Sequence, residues 1–392
     1  MSLMKQRGPS HHAEIARGVP AGLELGLRNY WYPVLRSDQL EAGRPHGFKV
    51  LNEALVAWRD AAGRPNVIRD KCPHRGVKLS AGRVLAGEIQ CAWHGLRFDG
   101  SGRCKLIPWE PQDSRLPAEV GVNAYPAAEL GGWIWSYIGE PENFPPPRLE
   151  DVAPEELLHP DRFIVFQHPI DVWHANWLQA LDGSDGFHAV TLHSDSQPVA
   201  ADPAGGAGGD QSGGNPLRRP LVPLAERRTR IVPSPQGLRG IALDGEGKPI
   251  HHGHFTEGWR GERWTLPCLF TVPIVPAPGL PAYTARLYQF AIDATHTQTS
   301  RWVAMRATGD AERARCRELW ETVIGPRQRQ VIAEDRRMIE TLGDLAESRA
   351  EEHLFHPDQD LLAVRRMMAD AWRAQLAGSR PVPAKEAFVF PF

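Results

Sequence analysis

Two short segments, each with one cysteine and one histidine, constrain the fold of this 392-residue chain more than any other feature. Cys72 and His74 form the first, Cys91 and His94 form the second, and sixteen residues separate them. Two thiolates and two imidazoles can hold either a zinc ion or an iron–sulfur cluster. Zinc fingers usually take both thiolates from one segment and both imidazoles from the other. Here each segment supplies one of each, which favours a two-iron cluster and leaves a structural zinc site as the alternative.

Composition argues against several classes of protein. Lys and Arg number 45 and Asp and Glu number 47, so the chain lacks the positive charge of a nucleic-acid-binding protein. The other three cysteines, Cys104, Cys268 and Cys316, have no partner at ligand spacing, and the five are too scattered for a disulfide framework. The first residues lack the apolar core of a signal peptide, and five prolines interrupt the most apolar run, 267–285. We therefore expect a cytoplasmic protein with no nucleic-acid or membrane partner.

The pattern of apolar runs and turn signals predicts an α+β protein. Short runs from residue 29 to about 138 are typical of a small all-β unit, and the proline-rich stretch 139–147 predicts a stiff connector. Beyond it we expect strands within 264–290, helices over 310–345 and 359–376, and a helix in part of 171–193. Six glycines in 202–215 predict a surface loop, and the histidine run 251–254 is interpreted as a polar loop without a metal.

Three stretches resemble the Rieske oxygenases, in particular the large (alpha) subunits of the non-haem iron aromatic-ring-hydroxylating family. They are CPHRGVKLS at 72–80, CAWHGLRFDGSGRC at 91–104 and a glycine–tryptophan strand near Trp133. LGLRNYWYPVL, before the cluster segments, is similar to the carbazole-dioxygenase and ketosteroid-hydroxylase branch. The resemblance implies a Rieske [2Fe-2S] domain at 29–140 and a helix-grip-like catalytic domain with an antiparallel sheet and C-terminal helices at 141–392. It also implies that residues 1–28 pack on the catalytic domain.

A second set of candidate ligands lies in the far half. His188 and His193 match the family pattern NW...D-x-x-H-x(4)-H, but they are about 140° apart on an ideal helix, so the helix must end or bend between them. A non-haem Fe(II) site also needs a carboxylate. Asp335 falls near the middle of an apolar helical stripe and Glu334 at or beyond its edge, which favours Asp335 as the ligand and leaves a buried ion pair with an arginine as the alternative. The stripe consists of Val331, Ile332, Met338, Ile339 and Leu342.

The resemblance also implies an activity and an assembly. Asp185 would hydrogen-bond His188 of its own subunit and the cluster ligand His94 of the next, within a homotrimer. Electrons from NAD(P)H would arrive through a ferredoxin, a flavin reductase or both. The chain would use O2 to monooxygenate, dioxygenate or oxidatively demethylate an aromatic, heteroaromatic or polycyclic small molecule, in a pocket lined partly by 264–290. The alternative is a Rieske electron-transfer or redox-sensing protein with a non-catalytic binding domain.

Overall fold

The computed structural model describes residues 19–185, 188, 192–193, 228–233, 237–243, 263–274, 281–355 and 358–380. Three predictions fall outside the described residues: the N-terminal segment up to residue 18, the glycine-rich loop at 202–215 and the histidine run at 251–254. Among the described helices, none is long and apolar enough to cross a membrane.

Between residues 30 and 138, short strands form three antiparallel sheets, as the turn-rich sequence predicts. Gly131 and Gly132, with φ of 60° and 78°, make the tight turn between the last two strands, a left-handed conformation that favours glycine. The sheet orders are β1-β11-β10, β2-β3-β4-β9 and β5-β6-β7-β8, and one short helix, α1 (Leu116–Glu119), accompanies them. The strands are β1 (Tyr30–Arg36), β2 (His46–Val50), β3 (Glu53–Arg59), β4 (Pro65–Arg69), β5 (Arg83–Leu85), β6 (Glu88–Gln90), β7 (Arg97–Phe98), β8 (Cys104–Leu106), β9 (Ala124–Tyr125), β10 (Ala127–Leu130) and β11 (Trp133–Ile138).

The far half contains one large antiparallel sheet with the order β12-β19-β18-β17-β16-β15-β14, and β13 also pairs with β19. The expected strands within 264–290 are present as β16, β17 and β18. The strands are β12 (Phe163–Gln167), β13 (Asp171–Trp173), β14 (Arg228–Pro233), β15 (Gly237–Leu243), β16 (Trp264–Thr265), β17 (Leu269–Ile274), β18 (Tyr283–Ala291) and β19 (Thr297–Arg306).

One hydrophobic core joins the N-terminal strands to the large sheet. All six residues of β11 are buried, because this strand lies between the two halves. The Trp133 and Trp302 rings are 5.6 Å apart, and the Trp135 and Tyr288 rings are 5.5 Å apart. Such aromatic contacts add to the free energy gained from burying large apolar surfaces.

Helices form in the regions where the sequence predicts them, but some of their bounds differ from the predicted ones. The predicted helix 359–376 is present as α8 (Gln359–Leu376), but the helix predicted over 310–345 ends at Ile339, because Gly343 is left-handed and Asp344 caps a new helix. Among the described residues, the expected helix within 171–193 is present as α4 (Trp177–Asp182), and 171–173 form strand β13. The remaining helices are α2 (Leu149–Val152), α3 (Glu155–Leu158), α4 (Trp177–Asp182), α5 (Asp310–Leu319), α6 (Gly325–Ile339) and α7 (Leu345–Glu351), with a π-helical turn at Trp320–Ile324 between α5 and α6.

Candidate metal centres

Two loops with the same hydrogen-bond pattern present the first set of candidate ligands. The N–H of Cys72 donates to the carbonyl five residues later, and its own carbonyl accepts from the N–H of Gly76. Cys91 makes the same pair of bonds with its loop, through Gly95. Both glycines have φ of 77°, a conformation that side chains disfavour. The chain therefore builds two similar loops, each with a cysteine at its base.

The thiols of these loops lie inside and the imidazoles outside. Cys72 and Cys91 are 1% and 2% exposed, and the Cys91 thiol is close enough to contribute to the raised pKa of Cys72. The His74 and His94 rings have centroids 4.5 Å apart, nearer the surface. Burial raises the pKa of the Cys72 thiol to about 11, so metal binding has to displace its proton. The four donors have the right chemistry and proximity for a cluster with two thiolate and two imidazole ligands.

Two exposed tryptophans surround His94. The Trp93 ring stacks on the His94 ring at a centroid distance of 4.9 Å, and Trp109 Nε1 donates to the His94 carbonyl at 3.2 Å. Trp93 is 54% exposed and Trp109 is 80% exposed. Large exposed apolar side chains that lie together are typical of protein interaction surfaces. We call Trp93 and Trp109 the cluster face.

The second set of candidate ligands comes together from two distant segments. Asn176 caps α4, which ends at Asp182, so both histidines lie beyond the helix. Asp335, on α6, lies with its Oδ1 at 3.3 Å from His188 Nε2 and 3.0 Å from His193 Nε2. One ligand atom from each of the three residues lies within 4.8 Å of the others. Two imidazoles and one carboxylate are the facial ligand set of non-haem Fe(II) sites, and this arrangement fits that ion.

Comparisons with known proteins identify one known domain and several similar oxygenase subunits. Residues 30–126 match the Rieske [2Fe-2S] domain family. The chain is 37% identical over 194 residues to the 3-chlorobenzoate-3,4-dioxygenase oxygenase subunit of Comamonas testosteroni, covering 47% of this chain and 42% of that subunit. It is 26% identical over 396 residues to the phthalate 4,5-dioxygenase oxygenase subunit of Pseudomonas putida, covering 92% and 84%. The chain therefore carries a Rieske [2Fe-2S] domain and is similar to the large subunits of Rieske oxygenases.

The structural likeness to solved oxygenases extends over both halves of the chain. A solved complex of the oxygenase and ferredoxin of carbazole 1,9a-dioxygenase matches with a TM-score of 0.63 at 21% identity, covering 88% of this chain and 89% of that one. This similarity establishes the fold, and the predicted family and fold class are confirmed. The Rieske domain match leaves the zinc alternative without support. Several of the similar relatives are aligned over less than half of their own length.

Electrostatics in the second centre favour an ionised carboxylate. Although burial opposes ionisation, hydrogen bonds from His188 and His193 hold the pKa of Asp335 below its usual value. Burial lowers the pKa of His193, but the bonds to Asp335 and Glu334 outweigh it and raise that pKa above its usual value. A metal ion at this position would displace the proton that the three groups share.

Glu334 is a member of this centre that the sequence pattern does not single out. Its Oε2 lies 2.8 Å from His193 Nδ1. A carboxylate only accepts hydrogen bonds, so Nδ1–H donates and Nε2 is left to face the metal position. The prediction of the apolar stripe was partly wrong, since Met338 and Leu342 are 40% and 44% exposed. The buried face of α6 centres instead on Ile332, and both acidic residues lie against the histidines.

The predicted bridging residue, Asp185, ends a 3₁₀ turn, Gly183–Asp185, that follows α4. Asp185 therefore lies beyond the end of α4. The side chain of Asp185 lies outside what the structure describes, so its bridging role stays a prediction.

Proposed function

We propose that the chain is the terminal oxygenase component of a multicomponent system. It would use O2 and electrons to monooxygenate, dioxygenate or oxidatively demethylate an aromatic, heteroaromatic or polycyclic small molecule. One observation carries this proposal: His188, His193 and Asp335 offer three ligand atoms within 4.8 Å of one another, on a chain that also has a Rieske domain. Two histidines and one carboxylate leave coordination positions open for O2.

Each group has its own residues in this proposal. Cys72, Cys91, His74 and His94 would hold the [2Fe-2S] cluster. His188, His193 and Asp335 would hold the mononuclear Fe(II). When bound, the cluster supplies single electrons and the Fe(II) supplies O2 activation. The protein contributes a buried carboxylate that stays ionised and, through Glu334, an oriented His193 ring.

The proposed partners follow from the cluster face and from the family. A ferredoxin, a flavin reductase or both would deliver electrons from NAD(P)H. A homotrimer would bring His94 of one subunit near Asp185 of the next, and the exposure of Trp93 and Trp109 around His94 supports an interface there. We keep 29–140 and 141–392 as the proposed domains, with 1–28 packed on the second. The cytoplasm remains the proposed location, because all five cysteines are free thiols.

The competing function is a Rieske electron carrier or redox sensor whose far half only binds a ligand. Such a protein needs the cluster ligands but has no use for a second iron. The meeting of His188, His193 and Asp335 favours the oxygenase, because a buried carboxylate is costly to keep without a cationic partner. Iron content separates the two functions: we expect three irons per chain from the oxygenase and two from the carrier.

The decisive experiment combines iron analysis with labelled oxygen. The purified protein should show a visible cluster spectrum, hold three irons per chain and, with a surrogate reductase and a panel of aromatic compounds, transfer ¹⁸O from ¹⁸O2 to a product. Asp335→Ala should hold two irons, keep the cluster spectrum and form no product. Asp161→Ala, a carboxylate removed from an exposed loop, should behave as the wild type. Turnover that survives Asp335→Ala, or a wild type with two irons, would contradict the proposal.

A further inference from the structure

An arginine side chain on β19 is buried without acceptors for two of its nitrogen atoms. Arg301 is 5% exposed, and its Nε and Nη1 have no hydrogen-bond partner among the described residues. Buried guanidinium groups are normally paired, because an unpaired charge away from water is costly. Arg301 therefore requires a partner that the described part of the chain does not supply.

The nearest carboxylate is already engaged. Arg301 Nη2 lies 3.6 Å from Asp171 Oδ2, which is too long for a hydrogen bond. Asp171 accepts instead from Arg336 Nη1 at 2.8 Å and from Trp173 Nε1 at 3.1 Å. Arg336 also donates from its Nε to Glu340 Oε1 at 2.8 Å, so Arg336 is paired with two carboxylates. Arg301, in contrast, has no carboxylate within hydrogen-bond distance among the described residues.

Two more polar atoms near Arg301 lack partners. Thr299 is fully buried, lies two residues away on the same face of β19, and its Oγ1 has no hydrogen-bond partner among the described residues. The N–H of His168 donates to the Arg301 carbonyl at 3.0 Å, while its Nε2 has no such partner. Burial, with the charges of Arg301 and Arg329, lowers the pKa of His168 to about 3, so this imidazole is neutral. A neutral imidazole can donate a hydrogen bond to an anion or accept one from a neighbour, depending on its tautomer.

An aromatic wall and the iron position adjoin these polar atoms. The His168 ring meets the Trp320 ring edge-on at a centroid distance of 5.2 Å, and Trp320 stacks on Phe166 at 4.8 Å. Arg336, which shares Asp171 with Arg301, directly follows Asp335 on α6. Burial lowers the pKa of Arg301, and the negative charge of the Asp335 carboxylate partly opposes that shift. An aromatic molecule with an acidic group could therefore lie between α6 and the sheet.

We propose that Arg301, together with Thr299 and His168, forms a carboxylate-binding subsite beside the iron position, and that the substrates of this oxygenase are aromatic carboxylates. The inference rests on the proposed function for the reaction, but the subsite itself is a binding site that can be measured without turnover. Arginine suits this role because its planar guanidinium group binds carboxylates with charge-assisted hydrogen bonds.

Calorimetric titration of the anaerobic, iron-loaded protein tests the subsite. The probes are benzoate, 2-naphthoate and 3-phenoxybenzoate, each compared with its neutral amide. The wild type should bind at least one carboxylate about tenfold or more tightly than the matching amide. Arg301→Gln should remove that preference and leave the affinity for the amide unchanged. Arg301→Lys should retain part of it, because the charge remains. Arg313→Gln, on a part-exposed helix position outside the site, is the control for lost charge.

The outcomes separate the subsite from the oxygenase reaction. The cluster spectrum and far-ultraviolet circular dichroism report whether each variant is folded. Equal affinities for every carboxylate and its amide, or a folded Arg301→Gln that keeps the preference, would overturn the subsite. If the wild type prefers carboxylates but holds two irons and transfers no labelled oxygen, the proposed reaction fails and the subsite stands.

Discussion

Glu334 directly precedes the proposed iron ligand Asp335, and it orients the His193 ring by accepting a hydrogen bond from Nδ1. Removing its carboxylate frees the His193 ring to rotate or to change tautomer. Hydrogen-bond partners of ligating histidines typically contribute about 10- to 100-fold to metal affinity. We therefore expect Glu334→Ala to weaken the binding of Co(II), as a probe for Fe(II), by about that factor, measured by competition with a chelator.

Two variants sharpen this prediction for Glu334. Glu334→Gln keeps an acceptor for His193 Nδ1–H and should lose less affinity than Glu334→Ala. Glu318→Ala removes the same group from an exposed position on α5 and should not change the affinity. An affinity for Co(II) that is equal in Glu334→Ala and in the wild type would mean that packing alone orients His193.

At the residue scale, the sequence predicts the parts of the site that depend on residues close together in the chain. The cluster loops are local, since each cysteine bonds within five residues and a glycine closes each loop. The selection of Asp335 rested on helix periodicity, and this side chain does lie against both histidines. Glu334 escaped the prediction because its partner, His193, is 141 residues away, and helix periodicity says nothing about what a flanking residue meets. The orphaned nitrogens of Arg301 are likewise visible only in three dimensions.

At the element scale, an ion-pair network anchors the end of α4, from which the iron segment continues. Asp182 accepts from Arg365 Nη2 at 2.7 Å and from Arg349 Nη2 at 3.0 Å, which ties α4 to α8 and α7. Burial disfavours ionisation, but these arginines hold the pKa of Asp182 below its usual value. The stabilisation is therefore present above the ordinary aspartate pKa and is lost as the pH falls through the depressed one.

Asp182→Asn should leave the buried Arg349 without its carboxylate and Arg365 with Glu352 as its remaining carboxylate. Breaking a buried pair by removing one partner costs about 3 kcal/mol or more in free energy of unfolding. Urea denaturation at pH 7 should detect this loss, and iron analysis should detect a lower content of the third iron, because α4 leads into His188. Asp370→Asn, which affects an exposed pair with Arg373, should cost less than about 1 kcal/mol. If the two variants are equally stable, the network does not anchor α4.

Helix and strand boundaries followed the sequence wherever one local signal dominated. α8 begins and ends where periodicity predicts, because its apolar face is continuous and buried. The helix predicted over 310–345 was too long, since Gly343 and the capping residue Asp344 are stronger signals than the residual apolar pattern. Strand β13 has only three residues and pairs with β19, more than 120 residues later, so no local pattern could reveal it.

At the scale of the whole molecule, β19 connects the two halves and the site. Gln298 Nε2 donates to the Val34 carbonyl at 2.9 Å and Ser300 Oγ to the Pro33 carbonyl at 2.8 Å, so one face of β19 holds the N-terminal sheet. Alternation turns Arg301 to the other face, toward α6. The sequence predicted both halves as separate units, but the contacts between them join residues more than 260 positions apart, beyond the reach of any pattern argument. A substitution on β19 can therefore affect both the contact between the two halves and the site.

The proposed assembly leads to a last prediction at this scale. If the cluster face packs against a second copy of the chain, Trp109 is suited to anchor the interface, because it is large, 80% exposed and bonded to the backbone of a proposed cluster ligand. The wild type should elute with about three times the 43.6 kDa mass of the chain by light scattering. Trp109→Ser should shift it toward the monomer and lower turnover while the visible cluster spectrum is kept. Leu376→Ser, which removes a 68% exposed apolar side chain at the end of α8, should leave mass and turnover unchanged. A Trp109→Ser trimer with wild-type turnover would show that Trp109 does not anchor the interface.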